Sequence, residues 1–310
     1  MEAMMDNTEK FSSRIVCAYL YVITQYGYPP PAAETIKHLK QMADLGFTAV
    51  ELEGIRREHL TEMASRVGDI LKAAGDLGLQ IPVFCTVLPG LSSPEASERD
   101  ESLELFRRGC ETAAILGAEC VLDNAPLPPW RFPGDVPVSR HYGEEVVREA
   151  TLPKGLIWRD YWRELVATYA EGCDIASSFG LTYHMHPALG VLASTAEGYE
   201  LLANAVDRPN LRFNLDTANQ FALHDSLPLA LHRLADQIDY IHLSDNGGKR
   251  IEHLELGKGV IPWDTFFAAV EEVGFGGRFG LDIGGDESAV ENLDQAYLRS
   301  ARWVQERISA

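Results

Sequence analysis

The stretch YHMHP, Tyr183 to Pro187, places two imidazoles at alternate positions of a run, Leu181 to His186, that otherwise reads as a buried strand. Successive side chains of a strand point to opposite faces, so His184 and His186 share one face while Tyr183 and Met185 take the other. The same alternation recurs further on. In FNLD, Phe213 and Leu215 leave Asn214 and Asp216 together; in YIHLS, Ile241 and Leu243 leave His242; in GLDIG, Leu281 and Ile283 leave Asp282. Earlier, in AVELE, Val50 and Leu52 leave Glu51 and Glu53. Charged groups gathered in an apolar interior are expensive unless they are paired or hold a cation. His184, Asp216, His242 and Asp282 therefore read as a metal quartet. Two imidazoles and two carboxylates suit a divalent transition ion, manganese first, with magnesium, cobalt or zinc as alternatives. His186 would then stand one step nearer a substrate. The bland alternative is that each is a hydrogen-bonded polar residue of a core.

The elements that must position these residues alternate regularly. Short runs rich in β-branched and aromatic residues predict strands at 15–20, 48–53, 80–88, 119–124, 181–186, 211–216, 238–243 and 278–283. Between them, apolar residues three and four apart predict helices at 33–45, 62–77, 95–116, 161–179, 195–205, 227–237, 263–273 and 293–308. Several helices run into the next strand through a glycine, as in LGLQIPVF, LGAECVLD and FGLTYHMH, where a left-handed C-cap is cheapest. Eight strand-helix units in 310 residues predict one domain, 1–310, closed into an α/β (β/α)8 TIM barrel with its chemistry at the C-terminal strand ends. The alternative, an open doubly wound sheet, would carry a glycine-rich turn after the first strand, where CAYLYVITQYGYPPP stands instead. One segment breaks the rhythm. Residues 125–157, after the fourth strand, hold six of the sixteen prolines with Trp130, His141 and Tyr142, and read as a lid-like insertion over the barrel mouth.

Composition narrows the partners. A formal net charge of -19 repels phosphate backbones and anionic surfaces, which opposes a nucleic-acid or membrane partner and favours a small neutral ligand. Five scattered cysteines without a CxxC pair suggest neither a disulfide frame nor a zinc ribbon. No apolar run approaches the roughly 18 residues of a membrane span, and Met1 to Arg14 lacks a signal-like apolar stretch, so a cytoplasmic location is expected.

The segments GFTAVELEG, FNLDTANQFA, IDYIHLSDNGG and HLELGKGVIPWDTFFAAVEEVGFGGRFGLDIGG resemble the xylose isomerase-like TIM barrels, the sugar phosphate isomerase/epimerase superfamily that includes inosose dehydratases and apurinic endonucleases. The resemblance runs from about Ile15 to Ile308 and is most specific in the last hundred residues. It implies a metal-dependent enzyme that removes a proton next to the carbonyl of a keto-sugar. The family's metal set is a glutamate on the fifth strand, an aspartate on the sixth, a histidine on the seventh and a glutamate on the eighth. Asp216 and His242 match, whereas His184 and Asp282 replace the two glutamates that act as paired bases in the family's epimerases. A family histidine three residues after the sixth-strand aspartate is Asn219 here.

Proton transfer is then expected of His186, of His253, four residues before Gly257 where related barrels place a site histidine, and of His141 in the insertion. Substrate contacts are expected of Glu51, Glu53, Asn219, Lys249, Arg250 and Trp130, with Asp245 and Asn246 backing the metal histidine. Reprotonation would make the chain an isomerase or epimerase. Loss of a β-substituent would make it a lyase on a 3-keto-glycoside or keto-cyclitol, akin to C-glycoside deglycosidase large subunits. A non-catalytic sugar-binding relative is the third reading, a nuclease being opposed by the acidic balance. A homo-oligomer or a small partner subunit is compatible with each.

Overall fold

The structure is a computed structural model, and it describes residues 10–134 and 144–308. His141 lies outside the described residues.

Among the described residues nine parallel strands form the sheet: β1 (Ile15–Cys17), β2 (Ala49–Ile55), β3 (Gln80–Val87), β4 (Cys120–Asn124), β5 (Thr182–His186), β6 (Leu211–Phe213), β7 (Leu215–Asp216), β8 (Tyr240–Leu243) and β9 (Arg278–Leu281). Their order, β6-β5-β4-β3-β2-β1-β9-β8-β7, rolls the sheet so that its two edges are consecutive in the chain. β6 and β7 are the two halves of one barrel strand, broken at Asn214. That residue joins the edges itself: its backbone N–H donates to Met185 O at 3.0 Å and its side-chain amide donates to Tyr240 O at 3.2 Å. Eight staves surrounded by helices make a TIM barrel, as expected from the strand-helix rhythm.

The alternation of side chains decides what the barrel buries. On the outer side Tyr183 packs on Phe106 at 4.7 Å and Phe213 on Tyr199 at 4.8 Å, both partners lying on surrounding helices. On the inner side the pairing register sets Asn124 beside His186, Leu122 beside His184 and Asp216 beside His242. Gly117, with φ +76°, ends the helix Ala96–Leu116 in the left-handed region and turns the chain directly into β4.

Three elements depart from the sequence expectation. The helix expected over 62–77 is two, Arg56–Ser65 and Val67–Leu77, and β1 is cut short by a helix at Leu20–Tyr26. A six-residue helix, Thr217–Ala222, starts where the sixth stave ends, because Asp216 caps it through its side chain. The two described limbs of the 125–157 insertion are joined by a backbone pair, Arg131 N–H to Thr151 O at 2.7 Å and the reverse at 2.9 Å. Among the described residues no helix is long and apolar enough to cross a membrane.

Candidate metal centre

At the C-terminal end of the barrel four side chains from four staves converge. His186, Asp216, His242 and Asp282, all buried, bring one potential ligand atom each to within 4.8 Å of one another. His186 Nε2 lies 3.1 Å from Asp216 Oδ2, and His242 Nδ1 lies 3.9 Å from the same oxygen. The two imidazole rings are 5.2 Å apart, centroid to centroid. Asp216 is fixed from behind: its Oδ1 accepts the Asn219 N–H at 2.7 Å, which leaves Oδ2 facing the cluster. His186 Nδ1 and His242 Nδ1 are buried and, among the described residues, have no hydrogen-bond partner. Leaving such a nitrogen bare costs about 1–3 kcal/mol, and the His242 Nδ1, turned toward the Asp216 carboxylate, fits a bound cation.

The membership of this cluster corrects the expectation for His184, whose place His186 takes. Residues two apart on a strand share a face but stand about 6.6 Å apart along it. His184 therefore points inward one layer lower, toward the N-terminal end of the barrel. There its Nε2 meets Asp239 Oδ1 at 2.8 Å and Thr182 Oγ1 at 3.0 Å, so it is committed to contacts of its own. Parity specifies the face, whereas height depends on how the tilted staves are staggered.

Glu51, expected to touch substrate, lies under the cluster instead. Its Oε2 accepts from His242 Nε2 and from the Tyr240 hydroxyl, each at 3.0 Å, and its Oε1 accepts the Tyr19 N–H at 3.2 Å. These bonds cross the axis from β2 to β8 and turn His242 so that Nδ1 faces Asp216, an arrangement that would support His242 as a ligand in a carboxylate-histidine pair. Gly280 makes room for this arrangement: a Cβ there would collide with the Tyr240 hydroxyl and stand 2.9 Å from His242 Cδ2. The electrostatics follow. Burial pulls the His242 pKa down, but the charges of Glu51 and Asp282 overcome it and raise the imidazole to about 9. His186 is lowered by burial, with Asp216 opposing. Burial also works against the charged form of Asp216, yet its hydrogen bond to His186 holds the carboxyl below the usual range. The cluster thus attracts positive charge, as a proton on His242 or as a metal.

The remaining expected site residues are dispersed. His253 is fully buried beside the cluster, with Nε2 3.6 Å from Asp282 Oδ2 and Nδ1 2.7 Å from Glu287 Oε1. Asn219 is buried at the same end, its side-chain amide donating to Pro187 O at 3.2 Å and its Oδ1 without a partner. Glu53 is half-buried, two residues up β2 from Glu51. Lys249 and Arg250, expected to contact substrate, are exposed, and Arg250 pairs with Glu252 at 3.2 Å. Trp130 stands at the foot of the insertion, 5.9 Å from the Phe132 ring and against Gly190. Asp245 does not back the metal histidine either; it ties the following loop, accepting the Gly257 N–H at 2.8 Å and the Trp263 indole N–H at 2.9 Å. Asn246 likewise spans its own loop, donating to Arg250 O at 2.8 Å. Glu287 and Asn124 escaped the sequence reading. The pair GGDE after the last stave was a signal for the first, and the parity of Asn124 with Leu122 was a signal for the second.

Comparison with known proteins bears on the fold and the family. The chain aligns at 25% identity over 216 residues with an inosose dehydratase of Geobacillus kaustophilus, covering 67% of this chain and 60% of that enzyme, so the match spans less than two thirds of the relative's own length. The fold superposes on 3-keto-D-glucoside 4-epimerase from E. coli with a TM-score of 0.70 and 17% identity, over 95% of this chain and 100% of that one. It superposes equally, at 0.70 and 16% identity over 95% and 98%, on IolI protein with a binding zinc atom. At these identities the superpositions establish the shared fold. The family model described as xylose isomerase-like TIM barrel matches residues 39–307. The chain belongs to the xylose isomerase-like TIM barrel family.

Proposed function

We propose that the chain is a divalent-metal-dependent enzyme that removes a proton next to the carbonyl of a small, uncharged keto-sugar and returns it, as an isomerase or epimerase. The observation that carries this reading is the convergence of His186, Asp216, His242 and Asp282, with the buried His242 Nδ1 left unpartnered among the described residues. The names of its structural neighbours, a keto-glucoside epimerase and a zinc-binding IolI protein, support it. Two imidazoles weigh against magnesium and suit manganese, cobalt or zinc, with manganese our first choice.

Those four residues would hold the ion. Bound there, it would supply Lewis-acid polarisation of a carbonyl oxygen and its neighbouring hydroxyl. The protein's own groups do the rest. Glu51 and the Asn219 N–H hold His242 and Asp216 in orientation, the buried surroundings exclude water, and His253 Nε2 would receive the substrate proton as a base and return it. His186, expected to act as a base, serves in this reading as a ligand. Asn124, Asn219 and Glu53 form the candidate rim for sugar hydroxyls, and the insertion 125–157 is the candidate lid.

A second reading, elimination of a β-substituent, is favoured by two observations: histidine and aspartate stand at 186 and 282, and a curated relative is named a dehydratase. One principal base is enough for elimination. The test is common to both. Metal-loaded protein in deuterated water is offered D-psicose, D-tagatose, a 3-keto-glucoside and an inosose. Chelator-sensitive deuterium entry beside the carbonyl is expected, with release of water or aglycone marking elimination. Sugar affinity without exchange by fully metallated protein would make it a binding relative and refute the enzymatic reading.

A further inference from the structure

His253 is held from several sides by one loop, the turn that follows β9. The Gly284 N–H donates to His253 O at 2.9 Å and the Ser288 hydroxyl donates to the same carbonyl at 3.0 Å. Gly284 and Gly285 have φ of +120° and +85°, which folds the loop back over the histidine. The fold brings the Glu287 carboxylate against Nδ1 at 2.7 Å, the other ring nitrogen standing 3.6 Å from Asp282 Oδ2. Gly285 leaves the room: a Cβ there would lie 2.5 and 2.6 Å from the two Glu287 oxygens. Glu287 remains partly exposed while the imidazole it meets is wholly buried, so the carboxylate reaches inward from the rim.

We propose that Glu287 is a positioning residue that accepts the Nδ1 proton of His253 in a hydrogen bond and so presents Nε2 as the acceptor facing the cluster. Both ring nitrogens face a carboxylate, but only Glu287, at 2.7 Å against 3.6 Å for Asp282, is within hydrogen-bond reach, which makes Nδ1 protonation the stronger of the two possible patterns for a neutral ring. The inference rests on the reading of the cluster as a catalytic centre, but its test does not. Protein labelled with 15N histidine is compared as wild type, Glu287→Ala and Glu287→Gln, without metal and with zinc, the His253 signals being assigned through His253→Asn. Long-range proton-nitrogen spectra report which nitrogen is protonated. Wild type is expected to show His253 protonated at Nδ1 only. Glu287→Ala is expected to lose that pattern, and Glu287→Gln to keep it, because the amide oxygen still accepts. Zinc content and circular dichroism are expected to be unchanged in all three. His253 protonated on Nε2 or on both nitrogens in wild type, or an unaltered pattern in Glu287→Ala, would overturn the proposal. Where the sugar chemistry holds, Glu287→Ala also slows deuterium exchange by about 10–100-fold with KM unchanged. Absence of exchange beside an intact Nδ1 pattern counts against the enzymatic reading and leaves the positioning role standing.

Discussion

Glu51→Gln separates the support of His242 from simple packing. The wild-type carboxylate is 2% exposed and, among the described residues, accepts three hydrogen bonds, none from an arginine or lysine, so its charge is balanced across the cluster by His242. In metal-free protein that balance raises the His242 pKa from 6.5 to about 9. At about 1.4 kcal/mol per pH unit the difference is worth about 3 kcal/mol. Because the folded-state pKa lies above the unfolded one, this stabilisation is complete below pH 6.5 and drains away as pH rises through about 9. Two neighbours do not mask the window: the lowered pKa of His186 costs stability only on the acid side of about 6.5, and that of Asp216 acts lower still, near the carboxylate range. Glutamine keeps the shape but removes the charge, so burial then dominates and the pH-dependent part is lost. One hydrogen-bond mismatch adds a pH-independent cost of about 1 kcal/mol. Denaturant melts of metal-free protein between about pH 6 and 8.5 measure both, below the range in which the buried thiols, their pKa values raised by desolvation, lower stability in turn. Saturating zinc should abolish the wild-type slope by displacing the proton from Nδ1, and Glu51→Gln should bind zinc about 10–100-fold more weakly. A flat profile for wild type, or the same slope in Glu51→Gln, refutes the account of His242 as the group that carries the cluster's positive charge.

Two further substitutions test the layer assignment. His186→Ala should abolish stoichiometric metal binding, whereas His184→Asn should retain it with at most a small loss of stability, since its partner Asp239 is half-exposed; elemental analysis after dialysis distinguishes the two outcomes. Gly280→Ala should destabilise the protein by about 1–3 kcal/mol and weaken metal binding, because its Cβ would displace the Tyr240 and His242 rings, and a thermal melt with a parallel metal titration reads both effects.

Much of the molecule was legible in the chain. The barrel followed from a strand-helix period punctuated by glycines such as Gly117, because those patterns are local and repeat eight times. The inward faces of β2, β5, β8 and β9 also followed, since alternation is a property of any strand. The break at Asn214 was hidden, because Leu211 to Asp216 alternates like an unbroken strand and the interruption comes from closing the sheet across Met185 and Tyr240. Arg250 and Lys249 were unreadable for a related reason: their loop is tied down by Asp245 to residues as distant as Trp263, and that knot turns them outward.

The sequence by itself determined which residue types face the axis, and hence that imidazoles and carboxylates would meet there. The tertiary structure alone decided which imidazole joins them. His184 and His186 are equivalent by parity, and only the stagger of tilted staves puts one beside Asp216 and the other beside Asp239. The same holds for Glu51 and Glu287, whose partners lie 191 and 34 residues away in the chain, so their roles follow from barrel closure and from one folded-back loop.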